Sequence, residues 1–147
     1  MNKKLINFLL DYFYFEPNIE SVTIVGSLED KTISEVSDID IVVVVKKLTK
    51  GLFEKILNHA ERIDFNQVGI DLKPKINSTF GPLKFDDEES LVLHLMIYDI
   101  ESHKQHVIAS PFTCFDWERS DNYKGKMLKE IYPVIQLMPK DFVNARR

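Results

Sequence analysis

Two aspartates separated by one isoleucine, Asp38-Ile39-Asp40, stand at the head of an aliphatic run, Ile41-Val42-Val43-Val44-Val45. So apolar and β-branched a run predicts a strand buried on both faces. Side chains two apart on a strand point the same way, so Asp38 and Asp40 share one face while Ile39 and Ile41 share the other. Two carboxylates held side by side in a partly apolar setting repel each other, and a cation removes that cost. Their hard oxygen donors suit an ion such as Mg²⁺.

Upstream, Ser21-Val22-Thr23-Ile24-Val25 is a second short β-branched run, and it ends at Gly26-Ser27. Glycine lets the backbone turn sharply and lets N–H groups approach a ligand with no Cβ in the way, while serine adds a hydroxyl. Phosphate oxygens fit such a cradle. Leu28-Glu29-Asp30 and Ile33-Ser34-Glu35 predict a short helix, and the ten residues between Ser27 and Asp38 suffice to return the second strand beside the first. Cradle and carboxylates would then face one cleft.

Gly26-Ser27, ten residues, then Ser37-Asp38-Ile39-Asp40 flanked by aliphatics resembles the signature of the DNA polymerase β-type nucleotidyltransferase superfamily, in particular its minimal members. The resemblance is strong over residues 21–45 and loose elsewhere. It implies an α/β (α+β) fold, a small mixed β-sheet of about four or five strands with helices packed mainly on one side. The implied activity is transfer of a nucleoside monophosphate from an NTP, with ATP the expected nucleotide, to an acceptor, releasing pyrophosphate. In that scheme Asp38 and Asp40 hold two Mg²⁺ ions, and the Gly26 backbone and Ser27 hold the terminal phosphates.

Members of the superfamily carry a third carboxylate between aliphatics on a strand after the next helix, and Ile70-Asp71-Leu72 is similar to that pattern. Asp71 is therefore the candidate third metal ligand, or the base that takes the acceptor's proton. The alternative is a surface aspartate on an edge strand, since Pro74, close behind, marks an edge or a strand end. A rival position is His94, the polar residue within Leu91-Val92-Leu93-His94-Leu95-Met96-Ile97-Tyr98. Imidazole is a poor Mg²⁺ ligand, so His94 reads as a substrate contact or a core histidine. The resemblance also allows a second use, a nucleotide-binding regulatory or antitoxin-like module acting through a helical protein partner.

The elements that must position these residues are legible in outline. Leu5, Ile6, Leu9, Leu10 and Phe13 recur at helical spacing and Pro17 ends the pattern. Lys46-Lys47-Leu48-Thr49-Lys50 reads as a basic loop, with Thr49 capping a helix that presents Leu52, Phe53, Ile56, Leu57, Ala60 and Ile63. Asn66–Ile76 and Leu91–Tyr98 read as strands, joined by a turn-rich stretch containing Ser78, Thr79 and Lys84 and by the acidic run Asp86-Asp87-Glu88-Glu89. Glu101–Ala109 predicts a helix whose His103 and His106 face solvent. Pro111 opens a long irregular segment in which Phe112, Phe115 and Trp117 plug the core, Cys114 is a small buried residue, and Glu118 and Arg119 pair or Arg119 reaches a phosphate.

With 147 residues, 44% of them hydrophobic and 29% charged, the chain is expected to form one domain over 1–147 with its own core. A net charge of −4 argues against a dedicated nucleic-acid binder, so the expected acceptor is a small molecule or a protein. A homodimer would be one way to complete the acceptor groove. The lone Cys114 cannot form an internal disulfide, and the amino-terminal segment lacks both a signal peptide's features and an apolar stretch long enough to span a membrane. The expected location is cytoplasmic.

Overall fold

A computed structural model describes residues 3–26, 38–77 and 90–134. The two β-branched runs lie at its centre as β1 (Ile19–Val25) and β2 (Ile39–Val45). They are joined by β3 (Lys73–Asn77), β4 (Ser90–Asp99) and a three-residue β5 (Tyr123–Gly125). The sheet order is β3-β4-β2-β1-β5. β2 runs parallel to β4 and β4 to β3, whereas β1 is antiparallel to both β2 and β5. The sheet is mixed and five-stranded, as the nucleotidyltransferase-like expectation requires.

β2 is flanked by a strand on each edge and by helices on each face, which is why its sequence is apolar without a break. Ile39, Ile41, Val43 and Val45 enter the larger core with Leu5, Ile6, Leu9, Leu10 and Phe13 of α1 (Lys3–Phe13) and Ile56 and Ala60 of α2 (Lys50–Glu61). Val42 and Val44 point the other way, into a smaller cluster with Val25, Tyr98 and Leu128. Period-two alternation therefore puts Asp38 and Asp40 on the face of that smaller cluster. Truncating Ile41, fully buried, would cost about 2–5 kcal/mol.

α2 begins where predicted, with the Thr49 hydroxyl accepting from the Leu52 N–H. The polar side of α2 is not bare: His59 stacks between the rings of Tyr12 and Phe15, at 3.9 and 3.7 Å between centroids. A 3₁₀ turn, Phe65–Val68, replaces the start of the strand expected from Asn66. Of that run only the part from Lys73 onward pairs in the sheet, in a strand that extends one residue past it to Asn77, because Gly69 adopts φ +76° and turns the chain before it.

α3 (Ile100–Ala109) follows β4 directly, its first turn closed by Asp99, whose carboxylate accepts from the Ser102 N–H at 2.8 Å. The segment expected to be irregular after Pro111 is instead α4 (Pro111–Glu118). Proline at the first helical turn lacks only an N–H that would be unpaired there, so it starts this helix rather than preventing one. Glu118 accepts from the Val134 N–H at 3.0 Å, and Arg119 lies over the Phe115 ring at 5.5 Å. A short α5 (Leu128–Ile131) seats Leu128 in the smaller cluster. Among the described residues no helix is long and apolar enough to cross a membrane.

Candidate active site

The register of the sheet sets one row of residues at a common level across four strands. Val25 of β1 pairs with Asp40 of β2, Asp40 with His94 of β4, and His94 with Asn77 of β3. Paired residues project to the same face. Asp38, just before β2, projects there too. The carboxylates of Asp38 and Asp40 and the imidazole of His94 each offer a ligand atom within 4.8 Å of the others.

His94 Nδ1 lies 3.1 Å from Asp40 Oδ1 and 4.0 Å from Asp38 Oδ2. A proton on Nδ1 donates to the Asp40 carboxylate. Burial holds the Asp40 carboxyl above its usual range and the Asp38 charge adds to that, while the contact with His94 opposes both. A dication among these atoms would answer the same electrostatic cost. Two carboxylates and one imidazole within coordinating reach of each other are a donor set that fits a divalent ion.

Gly26 ends β1 beside this group. Its φ is +90°, a conformation that side chains disfavour, and a Cβ built on it would sit 3.8 Å from Asp40 Oδ2. The backbone expected to cradle phosphate is thus adjacent to the carboxylates expected to hold a metal. On the outer side, Ser120 donates to the Ile24 carbonyl at 2.6 Å and Asn122 accepts from the Ile24 N–H at 2.8 Å. These bonds bring the end of α4, with Arg119, to the end of β1.

Of the residues singled out in the sequence, Asp38, Asp40 and Gly26 are brought together, and His94 joins them. Asp71 is not in that group: it is exposed and precedes β3, whose pairing sets Asn77 beside His94. Lys73 to Asn77 alone spans about 13 Å, with Asp71 on the far side of Lys73. Lys46 and Lys47 are exposed past the other end of β2, on the order of 20 Å from Asp40. Ser27, the helix expected over 28–35, Ser37, Ser78, Thr79, Lys84 and the acids at 86–89 lie outside the described residues.

Asn77 was missed in the sequence. It is buried to 1% exposure in the same row, and the available signal was a polar residue closing an alternating strand. His103, expected to face solvent, is also buried to 1%. The α3 pattern is only weakly amphipathic, and which of its faces meets the sheet is decided by its packing on β4 and β2.

The family model described as a nucleotidyltransferase domain matches residues 3–109, more than half of the chain. The chain belongs to the nucleotidyltransferase domain family. The match runs from α1 to the end of α3 and so takes in Gly26, Asp38, Asp40 and His94. α4, β5 and α5 lie beyond it. Neither the curated proteins nor the solved structures contain a match to the chain.

Proposed function

We propose that this nucleotidyltransferase domain moves a nucleoside monophosphate from an NTP, with ATP as the nucleotide, to a small-molecule or protein acceptor, releasing pyrophosphate. One observation carries the reading: two carboxylates converge beside a positive-φ glycine inside the region that matches the family. Asp38 and Asp40 are the proposed ligands of the divalent metal, two Mg²⁺ ions on the resemblance alone. When bound, such ions neutralise charge on the triphosphate and lower the pKa of the acceptor hydroxyl.

The chain's own part is to place and hold. The backbone at Gly26 approaches phosphate oxygens because no Cβ intervenes, and Ser27 adds its hydroxyl. Asp38 and Asp40 hold fixed negative charge at the end of a rigid central strand, so little reorganisation is needed as charge develops. His94 contacts Asp40 and limits the orientations of its carboxylate. The position expected for Asp71 we assign to His94, the side chain that meets both aspartates.

The test uses NTPs labelled in the α-phosphate, incubated with wild type or Asp40→Asn and a panel of metabolites, sugar phosphates and co-purifying proteins. Label moving to an acceptor with wild type alone supports the reading. Equal transfer by Asp40→Asn overturns it. Nucleotide that binds and is never transferred, with a protein that co-purifies, moves the reading to the regulatory module.

A further inference from the structure

The donor that stands beside the two aspartates is a ring nitrogen, and the ion it favours is a separate matter from the presence of a metal. Of the four histidines in the chain, three lie against aromatic rings. His59 is stacked between Tyr12 and Phe15, with Nε2 2.7 Å from the Tyr12 carbonyl oxygen. His106 stacks on Tyr98, with Nδ1 3.4 Å from Cys114 Sγ. His103 is enclosed beside Tyr98 in the packing of α3. His94 alone among the described histidines faces two carboxylates, and its side chain is 12% exposed.

Mg²⁺ demands hard oxygen ligands in a near-octahedral shell and gains little from imidazole. Mn²⁺ and the first-row ions after it accept nitrogen and oxygen together, and increasingly so along the series. Charge acts in the same direction. Two carboxylates with a neutral imidazole carry less negative charge than three carboxylates, which weakens the pull on a purely electrostatic binder such as Mg²⁺ more than on an ion that also bonds to nitrogen.

We infer that the Asp38–Asp40–His94 group selects a nitrogen-accepting divalent transition ion, Mn²⁺ or a later first-row ion, over Mg²⁺. The inference rests on the proposed role of Asp38 and Asp40 as metal ligands. His94 then sets which ion is taken. It does so from β4, the strand whose register with β2 brings the imidazole to Asp40.

The experiment binds Mn²⁺ to the full chain without nucleotide, follows free Mn²⁺ by electron spin resonance, and reads the bound ion's ligands by electron spin echo modulation. Wild type should show nitrogen coupling from a directly bound imidazole, and ¹⁵N-histidine labelling should change that coupling with no substitution made. His94→Gln should lose it. In His94→Asp, the Mg²⁺ needed to displace half of the bound Mn²⁺ should fall by roughly ten-fold or more.

No nitrogen coupling in wild type, an unchanged displacement point in a folded His94→Asp, or tighter binding of Mg²⁺ than of Mn²⁺ overturns the inference. Asp38→Asn and Asp40→Asn separate the two levels. If both lose Mn²⁺ while His94→Asp keeps the wild-type selectivity, only the inference about His94 fails. If both bind Mn²⁺ as wild type does, the metal role of the aspartates fails with it. Melting curves identify any variant that does not fold, and the labelled wild type then decides.

Discussion

His94 and His103 lie on consecutive elements, β4 and α3, and have opposite surroundings. His94 sits in a row of polar side chains at the end of the central strands, 3.1 Å from one carboxylate and 4.0 Å from another. His103 is 1% exposed and, among the described residues, neither ring nitrogen has a hydrogen-bond partner. Burial pushes its pKa down to about 4, with His106 adding to the effect. One imidazole is placed beside two carboxylates, with which it forms a potential ligand group. The other is tolerated as a neutral ring filling space between α3 and Tyr98. Burial of a histidine therefore says little about function, and what distinguishes the two is the charge that faces each ring.

The comparison breaks most sharply on the carboxylates. Asp38→Asn and Asp40→Asn should each reduce nucleotidyl transfer by on the order of 10³-fold, through lost positioning of charge at the reacting phosphate. The melting temperature should stay or rise, because relief of repulsion favours the fold in the metal-free protein. Pyrophosphate release and a thermal melt read the two together. A variant that unfolds would make the pair structural and erase the contrast with His103.

The next largest effect is the acid sensitivity of His103. The unfolded chain takes up this proton near the ordinary histidine value of 6.5, but the folded chain does not until about 4. Between those values the unfolded state binds more protons, so stability is fully present above about 6.5 and falls as the pH drops toward 4. The loss from this one group is roughly 3 kcal/mol. His59 and His106, also held below their usual range by burial, act in the same direction. Urea unfolding at steps from pH 7 to 4 should show His103→Leu with a distinctly shallower decline than wild type. An unchanged slope would mean that His103 finds a partner in the folded protein.

A smaller change tests whether α3 can be loosened without disturbing the aspartates. Asp99→Ala removes the side chain that caps α3 and also accepts from the Leu48 N–H at 3.3 Å. It should cost about 1 kcal/mol in urea unfolding, while Mn²⁺ affinity stays at the wild-type value. Loss of metal binding in step with stability would show that the two histidine environments are one unit. The least effect is expected from Asp71→Asn, an exposed residue before β3, with stability within about 0.5 kcal/mol of wild type and transfer nearly unchanged. A loss of transfer comparable to that of Asp40→Asn would restore Asp71 to the site and displace His94 from it.

What the sequence by itself determined is what neighbours along the chain determine. Asp38 and Asp40 had to share a face because side chains on a strand repeat every two residues, and the valines after them had to make that strand central. The α1 stripe, the Thr49 cap and the turn at Gly26 are local in the same sense. α4 was also within reach, since Pro111 suits a helix's first turn, but its aromatic content masked the pattern.

Tertiary structure alone decided which third group meets the aspartates. Asp71 and His94 both sat among aliphatics, the pattern that the resemblance implies for a third site residue. The choice turned on β4 pairing with β2 in the register that sets His94 against Asp40, and on β3 bringing Asn77 into that row. Strand order and register come from contacts between segments far apart in the chain, and no periodicity within one segment encodes them. The same holds for His103: a weakly amphipathic helix acquires an inside only when it packs, and the sheet beneath it supplied one.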